Sequence, residues 1–193
     1  MTIFNRERLT NDVFKIDVKR MRRGWYSDKY FENIGVMLST LAEQGYVFKG
    51  ENLRLRDVDL TKTEVGNLEV EMQWFTRRTG KVVVAGVDKA LTMLRHCSGY
   101  FNGNGKFVNT WNRLKVEAVH DGTTVTYNGD PMSIQPVIRV RGCYRDFALL
   151  ETPTLGLLTR SSRVATNVYE TLIAARGKPV LFFPARFDLH EVQ

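Results

Sequence analysis

The region from residue 145 to 190 constrains the fold of this chain most, because its hydrophobic pattern changes in a fixed order. Over 145–175 apolar residues recur at steps of three and four, which is typical of helices with one buried side. Ser161 and Ser162 interrupt this pattern and offer a helix N-cap, so two consecutive helices are predicted. Gly177 is placed to end the second one.

A short buried strand is predicted directly after the second helix. Val180 to Phe183 is an uninterrupted apolar run, which favours a strand covered on both faces in an α/β layer. Ligands of such folds bind at the carboxyl ends of the strands. Phe183, Arg186 and Asp188 fall at that end, so they are candidate binding residues.

The region before residue 142 indicates one amphipathic helix followed mainly by strands. The helix begins after Ser27 and carries an apolar stripe from Tyr30 to Leu41. Turn-forming dipeptides between the strands predict hairpins, whereas 100–106 is predicted to be a loop. The predicted strands are Leu68–Trp74, Val82–Ala85, Leu114–Val119, Thr123–Tyr127 and Val137–Val140. The first two are expected to pair with each other, and the next two likewise.

Charge and cysteine content narrow the classes of partner. The formal net charge of +7 favours a phosphate-bearing partner, either a nucleic acid or a polyanionic small substrate. The run from Lys19 to Arg23 is expected to be a solvated arm or an anion contact. Cys97 and Cys143 lack the spacing of zinc ligands, so no protein-bound metal is expected. With no apolar run long enough to span a membrane and no signal-like start, a cytoplasmic protein is predicted.

Several motifs resemble the nicotinate phosphoribosyltransferase family, which is related to quinolinate phosphoribosyltransferase. They are LLET at 149–152, LGLL at 155–158, VAT at 164–166 and AARGKPVLFFPARFD at 174–188. The last ends in Phe183-x-x-Arg186, with Pro184 where the family has glycine. Asp28-Lys29-Tyr30 is similar to the family's Asp-x-Tyr element.

The resemblance implies an activity and a set of binding residues. The family joins nicotinate to C1 of the ribose of phosphoribosyl pyrophosphate, giving nicotinate mononucleotide for NAD biosynthesis, with Mg²⁺ on the pyrophosphate and ATP as a possible co-substrate. Phe183 would stack on the pyridine, Arg186 would bind a carboxylate or phosphate, and Asp188 would orient the arginine or meet a ribose hydroxyl. Asp28 and Tyr30 would come from the second subunit of a homodimer. Catalytic residues are not assigned.

The resemblance also implies a fold and domain organisation. An N-terminal α/β sandwich-like domain with β-hairpins, residues 1–142, would lead into residues 143–193, a helical linker and the first strand of an incomplete α/β barrel. The family's enzymes are about twice as long. The chain is therefore expected to be a fragment, or half of a split enzyme whose second polypeptide supplies the rest of the barrel, and to be inactive alone.

Two alternatives remain open. Quinolinate phosphoribosyltransferase decarboxylates its substrate and gathers more basic groups around the ring, because that substrate carries two carboxylates. A basic nucleic-acid-binding module, or a regulatory non-catalytic subunit, would also be compatible with the charge. No nucleic-acid-binding motif is present in the sequence, so nucleic acid is not the expected partner.

Overall fold

The computed structural model describes residues 7–50 and 60–183, which form a mixed α/β domain. The described helices are α1 (Val18–Met21), α2 (Lys29–Glu43), α3 (Val87–Cys97) and α4 (Glu151–Ala175). The described strands are β1 (Glu69–Trp74), β2 (Gly80–Val83), β3 (Gly99–Phe101), β4 (Phe107–Asn109), β5 (Lys115–Ala118), β6 (Thr124–Tyr127) and β7 (Ile138–Cys143). This mixture of antiparallel strands and helices confirms the predicted fold class.

The strands pair across long stretches of sequence. β7 is the middle strand of a three-stranded antiparallel sheet, between β1 and β5. Its residues Ile138, Val140 and Gly142 are buried because they face the core in alternation. β2 pairs with β6, and β3 with β4, each antiparallel.

The predicted hairpins between the first two strands and between the next two are therefore wrong. Asp121 and Gly122 show why the chain does not fold back on itself after β5. The carboxylate of Asp121 accepts hydrogen bonds from the backbone N–H groups of Val87 and Asp88, at 2.8 and 3.3 Å, and so caps α3. The N–H of Gly122 donates to the carbonyl of Val84 at 2.8 Å. After this turn the chain continues into β6, which pairs with β2 in a different sheet.

The predicted loop at 100–106 is confirmed for residues 102–106, which connect the two strands of a hairpin, whereas Tyr100 and Phe101 belong to its first strand. β3 and β4 pair with Gly99 opposite Asn109 and Phe101 opposite Phe107. A side chain on Gly99 would collide with the carbonyl of Val108, so the tight pairing requires glycine there.

α4 is one continuous helix, and the predicted break at Ser161 and Ser162 is wrong. The hydroxyl groups on its inner side do not disrupt the backbone hydrogen bonds of the helix. They donate to carbonyl groups of the same helix or accept from neighbouring elements. Ser162 Oγ accepts from the N–H of Ala85 at 3.1 Å, and Thr166 Oγ1 accepts from the N–H of Val83 at 3.0 Å. Thr154 Oγ1 accepts from Nε1 of Trp74 at 3.0 Å.

The core lies between the three-stranded sheet, the β2–β6 pair, α3 and α4. Leu94, Val140, Phe147 and Leu150 are almost fully buried there, and Trp74 joins them. Burial of apolar side chains of this size contributes about 1.5–3 kcal/mol each. The core therefore fixes the position of the start of α4, which follows Leu150 directly.

The apolar run at 180–183 is not the buried strand that was predicted. Val180, Leu181, Phe182 and Phe183 are 44–78% exposed and carry no strand pairing. A strand needs a neighbour to take its backbone hydrogen bonds, and none of the described strands pairs with this run. Arg186 and Asp188 lie outside the described residues.

Among the helices in the described part of the chain, none is both long and apolar enough to cross a membrane. α4 has the length, at 25 residues, but it carries charged and hydroxyl side chains throughout.

Candidate functional site

One exposed side of α4 lines two adjoining depressions on the surface. Glu151, Leu155, Thr159 and Arg163 are spaced four residues apart, so they form a single row along the helix. This row, which we call the outer row, borders both a large cleft and a smaller notch. Glu151 gives one end of the row a negative charge, and Arg163 gives the other end a positive charge.

The cleft lies between α4 and the strands and has a volume of about 950 Å³. Its floor is apolar because the core side chains of β1, β2 and β6 face into it. Four aromatic side chains contribute to its wall, which suits a flat ring. The aromatic residues are Phe31, Trp74, Phe75 and Tyr144, and the aliphatic ones include Met72, Val82, Val84, Val125 and Leu158.

The notch, of about 580 Å³, is formed where α2 begins against the start of α4. Asp28 and Thr152 hold these two helix ends together. The N–H of Asp28 donates to Thr152 Oγ1 at 3.2 Å, and that hydroxyl lies 3.3 Å from a carboxylate oxygen of Asp28 and 3.3 Å from one of Glu151. Tyr30 is 54% exposed at the edge of the notch, with its ring 4.0 Å from that of Phe31.

Burial and neighbouring negative charge raise the pKa values of Glu151, Tyr30 and Tyr144. Partial burial raises the pKa of Glu151, and the negative charge of Asp28 adds to this effect. Desolvation, followed by the charges of Glu151 and Asp28, raises the pKa of Tyr30. Burial likewise raises the pKa of Tyr144. Both phenols therefore stay protonated at neutral pH and are available as hydrogen-bond donors.

Four arginines surround the opening shared by the cleft and the notch. Arg77, Arg78 and Arg163 line the cleft, while Arg160 and Arg163 line the notch. Arg78 lies 3.8 Å from Glu170, and both side chains are exposed, so this ion pair is weak. No described carboxylate lies within ion-pair distance of Arg77, Arg160 or Arg163. Three guanidinium groups are thus free to bind an anion.

The predicted binding residues are only partly brought together. Asp28 and Tyr30 lie at the start of α4, beside the LLET motif. Phe183 lies beyond the other end of that helix, which is roughly 37 Å long, and it lines neither depression. The roles predicted for Phe183, Arg186 and Asp188 stay predictions.

Sequence reasoning missed the outer row and the arginines around the opening. The signal was present in the four-residue spacing from Glu151 to Arg163. It was hidden because a break at Ser161 and Ser162 would have separated Arg163 from the rest of the row.

The described residues do not fit a protein-held metal ion. Within 7–50 and 60–183, no three His, Cys, Asp or Glu side chains converge. Asp28 and Glu151 come together at the notch, but they are two carboxylates that share one threonine hydroxyl. The Mg²⁺ expected with phosphoribosyl pyrophosphate has no set of protein ligands among these described residues.

Comparison with known proteins identifies the family. Residues 57–162, just over half of the chain, match the quinolinate phosphoribosyl transferase N-terminal domain. The chain therefore belongs to this family. The relationship to the quinolinate and nicotinate phosphoribosyltransferases is confirmed, but the match does not single out the nicotinate enzymes that the motifs resemble.

A solved structure shows the same fold. The nicotinate-nucleotide pyrophosphorylase of Pyrococcus furiosus superposes with a TM-score of 0.57 and 20% sequence identity. The match covers 93% of this chain but 36% of that enzyme, so the chain spans little more than a third of the length of that relative. The comparison with curated proteins gave no match.

Proposed function

We propose that this chain is the N-terminal part of a phosphoribosyltransferase that acts on a pyridine carboxylate in NAD biosynthesis. The family match over residues 57–162 carries the proposal. In this reaction the ring nitrogen bonds to C1 of the ribose, and the bond from C1 to pyrophosphate breaks. With quinolinate as substrate, one carboxylate is also lost as carbon dioxide.

The chemistry of the opening agrees with such a substrate. A pyridine carboxylate needs a flat apolar wall for its ring and a cationic group for each carboxylate. The cleft is lined by Phe75 and Tyr144 and also by Arg77 and Arg163. A guanidinium group binds a carboxylate through two parallel hydrogen bonds, which a lysine does not provide. The contribution of these residues is binding and orientation.

The number of arginines favours quinolinate over nicotinate. Arg77, Arg160 and Arg163 have no described carboxylate partner, and a dicarboxylate would use more than one of them. The Asp28-x-Tyr30 and Phe183-x-x-Arg186 motifs support nicotinate, for which ATP coupling would be expected. Measuring turnover with each acid, with and without ATP, separates the two possibilities.

The remainder of the site is proposed to come from an α/β barrel that lies outside these 193 residues. Tyr30 is more than half exposed, and Arg160 and Arg163 are exposed at the surface, so all three can reach a second body. Phosphate-binding groups for phosphoribosyl pyrophosphate would be part of that barrel. On this basis the chain alone should not complete the reaction.

A fusion enzyme tests the proposal. This chain would replace the matching N-terminal part of the Pyrococcus furiosus enzyme, and mononucleotide formation would be measured with phosphoribosyl pyrophosphate and Mg²⁺. The fusion is expected to convert quinolinate, while the chain alone forms no product. Arg163→Met should lower kcat/KM roughly tenfold or more, because a charged hydrogen bond contributes about 1.5–3 kcal/mol.

Arg113→Met is the matched control, because Arg113 is exposed but lines neither depression. Its fusion should keep the full rate. A folded fusion that makes no mononucleotide from either acid would contradict the proposed function.

A further inference from the structure

A second cationic surface lies apart from the cleft, around the β3–β4 hairpin. From Lys89 to Val116 the sequence contains no Asp or Glu, although it contains five Lys or Arg residues. From Val18 to Ser27 there is again no acidic residue, and four basic ones are present. The fold brings these two acid-free stretches together.

The two stretches meet at the C-terminal end of α3. Arg22 donates from Nε and Nη2 to the carbonyl of His96, at 3.0 and 2.7 Å. Asn109, at the end of β4, donates from Nδ2 to the carbonyl of Arg95 at 2.9 Å. The last carbonyls of the helix are satisfied by these donors, which fixes the hairpin and the end of α1 side by side.

Aromatic rings alternate with the arginines on this surface. The guanidinium carbon of Arg22 lies 4.1 Å from the ring centroid of Phe107, and that of Arg23 lies 5.8 Å from Phe101. The two phenylalanines pair across the hairpin with their rings edge to face and their centroids 5.3 Å apart. Arg95 lies 5.3 Å from the centroid of Trp111 beside them. We call this surface the hairpin face; it comprises Arg22, Arg23, Arg95, Phe101, Lys106, Phe107 and Trp111.

The hairpin face keeps unpaired positive charge. Arg23, Arg95 and Lys106 are exposed, and none has an ion-pair partner among the described carboxylates. Phe101 is 40% exposed despite its apolar ring. Phe101 is the exposed ring of the three, whereas Phe107 and Trp111 are half-buried and Trp111 also packs against the core.

We infer that the hairpin face binds single-stranded nucleic acid. The exposed ring of Phe101 and the guanidinium planes provide stacking surfaces for bases, and the free cations attract the phosphate backbone. An anionic membrane is a poorer fit, because the hairpin face has no exposed aliphatic side chain to insert. The hairpin face shares no residue with the cleft or the notch, so the inference does not rest on the proposed function.

Fluorescence anisotropy with oligo-dT and oligo-U of about 15 nucleotides, near the upper site size of a small single-strand-binding surface, measures the binding. Both are expected to bind the intact chain, with affinity that falls as salt rises from about 50 to 200 mM. The two oligomers tell whether the ribose 2′-hydroxyl matters. Vesicles containing phosphatidylserine provide the competing anionic surface.

Two variants separate the contributions of charge and stacking. Lys106→Ala should reduce the slope of log affinity against log salt by about 0.7, the value for one phosphate contact on a single strand. Phe101→Leu should weaken binding roughly fivefold or more at every salt concentration without changing the slope.

The chain offers close controls for both changes. Tyr169 is also 40% exposed and also lies 5.8 Å from a cation, that of Lys81, so Tyr169→Leu matches the Phe101 variant. Lys178→Ala removes an exposed lysine beyond α4. Neither control should alter affinity or slope. Absence of binding, equal effects of Tyr169→Leu and Phe101→Leu, or tighter binding to the vesicles would each overturn the inference.

Discussion

Single side chains join segments of this protein that are far apart in sequence. Arg8 forms an ion pair with Asp88 at 2.7 Å and donates to the carbonyls of Ala118 and Val119. Arg22 joins the ends of α1 and α3 by donating twice to the carbonyl of His96. Because each guanidinium group has several donors in a fixed plane, one arginine can satisfy two or three carbonyl groups. These contacts anchor the N-terminal segment on the core.

Cys97 is a residue whose chemistry follows from its position. It is 4% exposed, and burial raises the pKa of its thiol from 9.0 to about 11, with a small opposing effect of Arg22. A pKa that high leaves roughly one thiol in a thousand ionised at about pH 8. Since the thiolate is the reactive form, Cys97 should be nearly inert in the folded protein.

A thiol-reactive dye checks this in the Cys143→Ser variant, in which Cys97 is the remaining cysteine. The rate is expected to rise with pH up to about 11 in the folded protein, and to be at least roughly a hundredfold faster at about pH 8 after unfolding. Rapid labelling of the folded variant near neutral pH would contradict the placement of Cys97 in the core.

At the scale of elements, α4 organises the molecule through two neighbouring rows of side chains. The inner row, Thr154, Leu158, Ser162 and Thr166, faces β1 and β2, and the outer row faces the cleft and the notch. Hydroxyl groups of the inner row accept hydrogen bonds from backbone N–H groups along the free edge of β2. Without them, this edge would be open to pairing with another strand. The same helix therefore closes the sheet and presents the candidate site.

Removing one of these hydroxyls should destabilise the domain. Thr166→Val keeps the shape of the side chain but leaves the N–H of Val83 without its partner. An unsatisfied, partly buried donor costs about 1–3 kcal/mol, and each kcal/mol lowers the Tm by roughly 2–4 °C in a chain of this size. Thermal unfolding followed by circular dichroism measures the effect.

Thr171→Val is the control for that experiment. Its hydroxyl bonds only to the carbonyl of Asn167, within the same helix and at the surface. The Tm of this variant should stay close to that of the unchanged protein. An equal loss in both variants would mean that the contact between α4 and β2 contributes nothing specific.

The helices could be predicted from sequence more completely than the sheets. Helical periodicity is local, so the apolar stripe from Tyr30 to Leu41 located α2 correctly. Strand pairing depends on partners far along the chain. β1 pairs with β7, about seventy residues later, and nothing within Glu69–Trp74 indicates that choice.

The candidate site was likewise predictable only where its residues belong to local sequence motifs. The resemblance of Asp28-x-Tyr30 and LLET to family motifs pointed to residues that the fold places side by side. The place of Arg163 in the outer row could be predicted only if α4 was taken as one uninterrupted helix. A serine pair is compatible with either a break or a continuous helix. Here Ser162 accepts a hydrogen bond from the backbone N–H of Ala85, a distant part of the chain, and this contact is not visible in the local sequence.

At the scale of the whole molecule, the two proposed anion-binding surfaces hold eight of the 28 basic residues in a chain of net charge +7. The opening along the outer row combines arginines with an apolar cleft, which fits a small aromatic acid. The hairpin face combines cations with exposed rings, which fits a single strand. The two surfaces have no residue in common, so each can be tested in variants that leave the other intact.

Titration of the folded chain with pyridine acids, followed by amide NMR, tests the central claim most directly. Quinolinate is expected to shift the signals of the outer row and of Asp28 and Tyr30, and to bind more tightly than nicotinate. Benzoate, which lacks the ring nitrogen and the second carboxylate, should bind less tightly than quinolinate. Arg163→Met should weaken quinolinate binding roughly tenfold, whereas Arg113→Met should not. Absence of shifts with either pyridine acid, or shifts that are unchanged in Arg163→Met, would contradict the account.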